Sequence, residues 1–573
     1  MTSARNDLDV LFIGAVMNYD GTVGSLANHI RQDGKWVAPF QYIYQKRPEI
    51  FRDEAHACVY GVPNLSISKL ADYLKRTVED VNFHIVWHFD YHKDEVLDIL
   101  QNRPPKLVAI STTLAFYPQF LNDAVAWIQA HKRPETKVVL GGKWIYDRYK
   151  LHGYADELDA EMDATGADYI VLNGYGEEAL HQLLLAQRDG DDLRAASLPN
   201  MATRRATCAE PSSDALAFTG KHYCINHVVN EQHTPGEPMI DFANIGREFL
   251  SDVVHVRTCS SCPFKCKFCT FPVLQGEHVL FELDDVMHQL HQLADMGVKS
   301  LFFIDDTFNV PPKRFNKLLD RMIEADLGMT WVSFYRAQFA NAEMTQKMYD
   351  AGCRMVFCGF ESGNDQILKL MDKHVKVTQY QNGLKYLSDA GIETLASYIV
   401  GYPGETRETA MDTLELIDDP RVSFSRGSLF YYEPSAPVGK IAAEWELTGY
   451  GSEWKHKTMD SDTAAEIHLE MLSKLKGINT PISDGGAWSL FNLFARGLSW
   501  DEVRQLYRDF NAIQKQQVAE AGQDALDGYR AHAQSAKRRQ DRATEEKQSS
   551  FKAALEFARS RGRAGSVQAP PEI

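Results

Sequence analysis

The residues with the clearest chemical meaning are Arg257-Thr258-Cys259-Ser260-Ser261-Cys262-Pro263-Phe264-Lys265-Cys266-Lys267-Phe268-Cys269. Four of the chain's nine cysteines fall within these thirteen residues, and Cys262, Cys266 and Cys269 have the spacing C-x₃-C-x₂-C. Three thiolates on one short loop can each take one iron of a [4Fe–4S] cube, leaving the fourth iron open to a ligand that is not cysteine. Zinc is the competing reading. Paired C-x₂-C zinc motifs need a spacer of about 15–20 residues to fold two halves around one ion, and here only three residues separate Cys262 from Cys266. A packing role fits poorly beside Lys265 and Lys267. Cys259 offers an alternative register, against which we read the loop. Cys353 and Cys358 flank an apolar run and read as small core hydrophobes. Cys58, Cys208 and Cys224 carry no spacing signal.

The cysteine loop must be positioned by the elements around it. Strand-like runs occur at 253–257, 300–304, 330–334, 355–359, 394–400 and 425–430. Helical spacing separates them at 283–296, 312–325, 344–351, 380–390 and 406–417. Six β/α units make an incomplete barrel, a partial (β/α)6, in which chemistry sits at the C-terminal ends of the strands. The cysteine loop follows the first of these strands.

Upstream, apolar runs at 9–16, 83–88, 107–110, 138–140 and 169–172 alternate with helical spacing at 67–75, 118–131 and 176–187. That order predicts an α/β doubly wound sheet, flavodoxin-like, which binds its ligand at the carboxyl ends of the strands. The turns there are Gly14-Ala15-Val16-Met17-Asn18, Ser111-Thr112-Thr113, Gly141-Gly142-Lys143 and Asn173-Gly174-Tyr175-Gly176-Glu177. Small residues leave room for a large cofactor; FMN, a nucleotide and a corrinoid all fit. Gly174-x-Gly176 is too short for a Rossmann fingerprint. Residues 17–65, between the first strand and its helix, are long for a connection, and such loops are usually functional.

The expected organisation is 1–188 an N-terminal ligand-binding domain, 189–250 a linker, 251–433 the barrel, 434–529 a mainly helical region with an N-cap at Ser499, and 530–573 a basic polar tail. A chain of 573 residues, 44% hydrophobic and 24% charged, is globular. A net charge of −17 argues against an electrostatic grip on nucleic acid. No apolar run approaches the ~18 residues of a membrane span, and the first residues lack a secretory pattern. The expectation is therefore a cytoplasmic protein without a membrane partner.

The motifs together resemble the radical S-adenosylmethionine (SAM) enzymes, and within them the cobalamin-dependent subset, class B radical SAM methyltransferases. After C-x₃-C-x₂-C, the stretch Phe303-Ile304-Asp305-Asp306-Thr307-Phe308 resembles that subset's second-strand motif. Gly359-Phe360-Glu361-Ser362-Gly363 resembles the fourth-strand motif that meets the ribose, and Val400-Gly401-Tyr402-Pro403-Gly404-Glu405-Thr406 the fifth-strand G-x-P-G-E-T turn. The resemblance implies a [4Fe–4S] cluster on Cys262, Cys266 and Cys269. It implies SAM held by Asp305 or Asp306 through its ammonium, by Arg336 through its carboxylate, by Glu361 and Ser362 at the ribose, and by Gly401 near the adenine. A helix cap at Asp305 and Asp306 and ordinary turns at the glycines are the structural alternatives.

The segment before the barrel resembles the subset's cobalamin-binding domain. Asn18, Ser111, Thr112, Gly141, Gly142, Gly174 and Glu177 are then the cofactor contacts. The D-x-H-x-x-G signature of other cobalamin proteins is absent.

The implied reaction transfers a SAM-derived methyl, by way of cobalamin, to carbon or phosphorus of a small molecule in natural-product biosynthesis. The implied electron source is an external donor of the flavodoxin or ferredoxin type. Residues 453–459 look similar to the phosphinate P-methyltransferases and tryptophan C-methyltransferases of antibiotic pathways, with Tyr431, Tyr432, Trp454 and His456 as possible pocket residues. The alternatives are a cobalamin-dependent radical SAM cyclase or rearrangement enzyme and a non-catalytic cofactor-binding sensor. Methylthiotransferases share the core but use further N-terminal cysteines, and only Cys58 lies in the first 200 residues.

Overall fold

The computed structural model describes residues 8–16, 29–57, 62–114, 118–152, 156–229, 239–476, 480–481 and 484–521. Asn18, Cys58 and the tail 530–573 lie outside the described residues. Strands β1 (Val10–Ile13), β2 (Phe83–Val86), β3 (Leu107–Ser111), β4 (Lys137–Gly141) and β5 (Tyr169–Val171) run parallel in the order β2-β1-β3-β4-β5. This is the flavodoxin-like order, with its switch point between β1 and β3. All four residues of β1 are buried because helices cover both faces of the sheet. Helices Leu65–Thr77 and Glu177–Asp189 supply Ile67, Leu74, Leu180 and Leu183 to one face. Lys93–Asn102 and Pro118–His131 supply Val96, Ile99, Leu121 and Val125 to the other.

The stretch expected as a linker is built partly into this sheet. Strands β6 (Met201–Arg204), β7 (Leu216–Thr219) and β8 (Tyr223–Asn226) extend it antiparallel, in the order β5-β6-β8-β7. Each is four residues long, too short to show a period among the prolines and polar residues that surround them. Linking falls to residues 239–250. There Phe242 is buried, Gln289 Nε2 donates to Ile240 O (2.9 Å), and Asn244 Nδ2 donates to Asp72 Oδ1 (2.8 Å). Trp87 Nε1 also donates to Phe249 O (2.7 Å). One turn thus holds a helix from each domain.

Strands β9 (Val253–Val256), β10 (Ser300–Phe303), β11 (Thr330–Tyr335), β12 (Cys353–Glu361), β13 (Glu393–Val400) and β14 (Phe424–Leu429) form the second sheet, parallel and in chain order. A short seventh strand, β15 (Thr480–Pro481), joins the open edge. Alternate residues such as Leu301, Phe303, Trp331 and Val356 pack against the outer helices. The inward set starts with Val253, Phe302, Val332, Met355, Leu395 and Phe424, and it packs with Ile30, Phe40, Ile43, Phe491, Val503 and Phe510. The described part of the long excursion after β1, together with helices Asp484–Ala495 and Trp500–Ala521, therefore plugs the N-terminal half of the barrel's inner face. The last helix starts as expected: Ser499 and Glu502 exchange capping-box hydrogen bonds.

The C-terminal region is mainly helical, with one small antiparallel sheet of Thr448–Tyr450, Glu453–His456 and Met459–Asp460. Among the described residues no helix is long and apolar enough to cross a membrane.

Candidate active site

The cysteine loop is pinned at its root. Asp305 Oδ1 accepts from the N–H groups of Thr258 and Cys259, both at 2.8 Å, and from Cys259 Sγ at 3.1 Å. Asp305 is buried, and burial raises its carboxyl pKa. Cys259 is thereby committed to the loop's own structure, and burial pushes its thiol pKa far up. Beyond it the chain turns through Ser261, at positive φ, into Cys262, Cys266 and Cys269.

Cys269 N donates to Cys266 O (3.0 Å). The Cys269 thiol is pushed up to about 12, first by burial and further by the charges of Cys266 and Cys262. A Cys269 thiol whose ionisation is opposed by burial and by neighbouring negative charge suits a cationic group that takes it as a thiolate. Among the described residues no three His, Cys, Asp or Glu side chains converge on a single-ion site. A cube needs no such convergence, because each thiolate binds a different iron. The donor set therefore fits the cluster.

Arg336 follows β11 and is buried. Its guanidinium lies 3.4 Å from the centroid of the Phe264 ring and donates to Cys266 Sγ (3.4 Å). Its backbone N–H is held by Asn309 Oδ1 (3.0 Å). Glu361, at the end of β12, has φ +64° and pairs with Lys373 Nζ at 2.9 Å. Ser362 is buried, and its Oγ accepts from Asn364 N (3.2 Å). Gly401 has φ +95°, and a Cβ there would come within 2.4 Å of the Trp454 ring. Its N–H donates to Glu405, and His456 Nε2 lies 3.0 Å from its carbonyl oxygen. Glu405 is buried, which raises its pKa to about 8. Trp454 and His456 are stacked and buried beneath this turn, so they are core residues and not pocket walls. Tyr432 is also buried, and Tyr431 is exposed on the surface.

The strand ends of both sheets open on one cavity of about 560 Å³. From the first domain it is lined by Ser111, Gly141, Gly142, Gly174 and Glu177 of the expected contacts, with Asn64 and Tyr146. From the barrel it is lined by His255, Arg257, Ile304, Asp306 and Phe334. Of the acidic pair only Asp306 reaches the cavity, and burial raises its pKa to about 6, opposed by the Arg257 charge. Burial and the same charge push His255 down to about 4, so it is neutral at physiological pH.

Gly142 has φ +120°, and a Cβ there would meet the backbone nitrogens of Thr112 and Thr113 at 3.0 Å. A Cβ on Gly174 would touch the Tyr146 ring at 3.3 Å. Thr112 is buried without reaching the cavity, and its Oγ1 has no hydrogen-bond partner among the described residues. At the switch point Asn64 Nδ2 donates to Gly14 O (3.2 Å) and Ser111 Oγ (3.1 Å). A glycine cradle with hydroxyl groups at its base fits a broad planar cofactor.

Arg257, His255, Asn64, Tyr146 and Glu405 were not singled out from the sequence as site residues. A period-two reading of 253, 255 and 257 as one face of a strand carries the signal for His255 and Arg257.

The profile of the radical SAM superfamily matches residues 256–417. An uncharacterised methyltransferase of Pyrococcus horikoshii is 30% identical over 403 residues, 70% of this chain and 82% of that one. A tRNA-2-methylthio-N(6)-dimethylallyladenosine synthase of Shewanella denitrificans is 24% identical, over 52% of this chain and 70% of that one. Among solved structures, the radical SAM methyltransferase TsrM of Kitasatospora setae, with cobalamin and a [4Fe–4S] cluster bound, superposes with a TM-score of 0.55. It does so at 16% identity, over 79% of this chain and 97% of that one. The cobalamin-dependent SAM radical enzyme OxsB, with aqua-cobalamin bound, gives 0.54 at 13% identity, over 89% and 72%.

Proposed function

Because the chain belongs to the radical SAM superfamily, we propose that it is a cobalamin-dependent methyltransferase acting on carbon or phosphorus of a small molecule. The observation that carries this reading is the single cavity shared by the strand ends of two different sheets. A methyl group moves only over a bond-making distance, so donor and acceptor must face each other across one enclosed space. In this cavity Gly142, Gly174 and Ser111 stand opposite Asp306 and Arg257.

Cys262, Cys266 and Cys269 would hold the cluster. Asp306 is the acidic residue placed to accept from an ammonium, while Asp305 holds the loop. Arg336 sits beside Cys266 and would meet a carboxylate brought to the open iron. Ser111, Gly141, Gly142, Gly174 and Glu177 would receive cobalamin. The cluster with SAM supplies reductive cleavage and a methyl source, and cobalamin supplies a methyl carrier. The chain's own residues bind, orient and exclude water. The N-terminal half of the barrel is plugged by Phe40, Phe491 and Phe510, so substrate enters from the strand-end side. The described cysteines are all free, which suits a reducing cytoplasm, where an external low-potential protein can deliver electrons.

The similarity to a methylthiotransferase runs over 52% of this chain at 24% identity. Those enzymes use further cysteines in an N-terminal domain, and here Cys58 is alone in the first 200 residues. A cyclase or rearrangement enzyme differs in product mass, since only methylation adds a CH₂.

The test is cobalamin binding by the full chain. We expect the purified protein to take up hydroxocobalamin, and Ser111→Trp to abolish uptake while leaving the cluster's iron content unchanged. Uptake undiminished by Ser111→Trp would contradict the placement.

A further inference from the structure

Among the described residues, the charged side chains that line the shared cavity pair off, with two exceptions. Lys69 Nζ meets Glu177 Oε1 at 2.7 Å, and Lys143 pairs with Asp147. Asp306 and Arg257 remain, and they feel each other's charge without forming an ion pair. Asp306 is the acid placed for an ammonium. Arg257 directly follows β9 and lines the cavity. It has no hydrogen-bond or ion-pair partner among the described residues, and its Nε is buried without one. Asp305 also lies within its field, but that carboxylate is already held by the N–H groups of Thr258 and Cys259. Two residues back on the same face of the strand, His255 packs edge-on against Phe302, with ring centroids 5.5 Å apart. His255 is neutral and adds a hydrogen-bonding ring without charge. Ile240, Phe281, Ile304 and Phe334 are apolar members of the same lining. Arg336 belongs elsewhere: β10 separates β9 from β11, and its guanidinium is bonded to Cys266 Sγ.

We propose that Arg257 recognises the substrate, and that the substrate carries a two-oxygen acid group, a carboxylate or a phosphinate, on an otherwise apolar body. The inference rests on the methyltransferase reading above and adds to it the class of molecule methylated. A guanidinium presents parallel N–H donors that match the two oxygens of one acid. Beside apolar walls such a charge is poorly solvated, and an incoming anion supplies the partner that the fold does not. Pockets of this kind bind through apolar area and take orientation from a few polar groups. Arg257 is the polar group left to do so, because the other cations of the lining are already paired. Two cofactor anions compete for the same guanidinium, the carboxylate of SAM and the phosphate of cobalamin. Arg336, beside the cysteine loop, is placed for the first. The glycine cradle that would receive cobalamin belongs to the other sheet, across the cavity from Arg257.

The experiment uses the full chain with reconstituted, oxidised cluster, as parent, Arg257→Gln and Arg257→Lys. The probes are phenylacetate and phenylphosphinate, with phenylacetamide as the uncharged counterpart, titrated calorimetrically in the presence of saturating SAM and hydroxocobalamin. We expect the parent to bind at least one acid about 10–100-fold more tightly than the amide, the range of a hydrogen bond to a charged group. Which acid binds more tightly distinguishes the carboxylate from the phosphinate. Arg257→Gln should abolish the preference and Arg257→Lys should restore part of it, with iron content, SAM affinity and hydroxocobalamin affinity at parent values. No preference for either acid in the parent, or a preference kept in Arg257→Gln, overturns the proposal. A loss of SAM affinity in Arg257→Gln overturns it by assigning the guanidinium to the SAM carboxylate. A loss of hydroxocobalamin affinity, with cobinamide, which lacks the phosphate, bound as before, overturns it in favour of the cobalamin phosphate. A parent that takes up no hydroxocobalamin, yet prefers the acids through Arg257, overturns the methyltransferase reading and leaves the anion site standing.

Discussion

Arg336 donates a 3.4 Å hydrogen bond to Sγ of Cys266, the central thiol of the cysteine loop, while its guanidinium stacks on Phe264. A fixed positive charge beside a thiolate stabilises it, and Asn309 on the Arg336 backbone fixes where that charge sits. Removing a partner of this kind typically costs about 10–100-fold in metal affinity. Arg336→Ala should therefore lower iron content after anaerobic reconstitution, with Arg336→Lys intermediate. Full iron content in Arg336→Ala would show that the contact is incidental.

The register of the loop gives a second prediction. Cys262→Ala, Cys266→Ala and Cys269→Ala should each lose the cluster absorbance. Cys259→Ala should keep it, because that thiol is bonded to Asp305. The reverse outcome for Cys259 and Cys262 would move the register.

Glu405 should give the protein an alkaline weakness. Its pKa is raised from 4.5 to about 8, so the folded chain holds a proton there that the unfolded chain has released. The associated stability is complete below the unfolded pKa, declines as pH rises through the interval, and is gone above about 8. Glu405→Gln should remove that slope. Thermal melting of both proteins across this range checks it: the variant should gain on the parent as pH rises. Parallel curves would mean that Glu405 is ionised in the fold.

The plug in the barrel predicts a stability effect far from the chemistry. Phe40, carried by the excursion after β1, packs with Phe302, Met355 and Phe510 in one core. Phe40→Ala should cost about 3–5 kcal/mol, as large aromatic truncations in cores do. Denaturant unfolding measures this, and iron content per folded chain should stay at the parent value. A cost within about 0.5 kcal/mol, typical of surface sites, would show that the excursion is not structural.

Much of this architecture was legible because both sheets are parallel and buried on two faces, which makes their strands nearly continuous apolar runs. The runs at 107–110 and 394–400 became β3 and β13 with a residue or so of adjustment. The antiparallel extension β6–β8 was not legible. Its strands are four residues long, and β7 is mostly exposed, so neither length nor period marks them. At the site, spacing alone grouped Cys262, Cys266 and Cys269. It did not separate Asp305 from Asp306. Adjacent residues point to opposite sides of a strand end, and only the packing shows that Asp305 faces the loop backbone while Asp306 faces the cavity. The role of 29–57 as a plug depends on contacts with helices more than 400 residues away, which no local pattern reveals.

The most direct test of the account follows the methyl group. The reconstituted, cobalamin-loaded chain is reduced and given SAM with an isotopically labelled methyl, then separated from free nucleotide. The account predicts that label is recovered with the protein-bound cobalamin, and that Ser111→Trp, with its cluster intact, shows none. Label that never leaves SAM, or that is bound equally by Ser111→Trp, would contradict methyl transfer across a shared cavity.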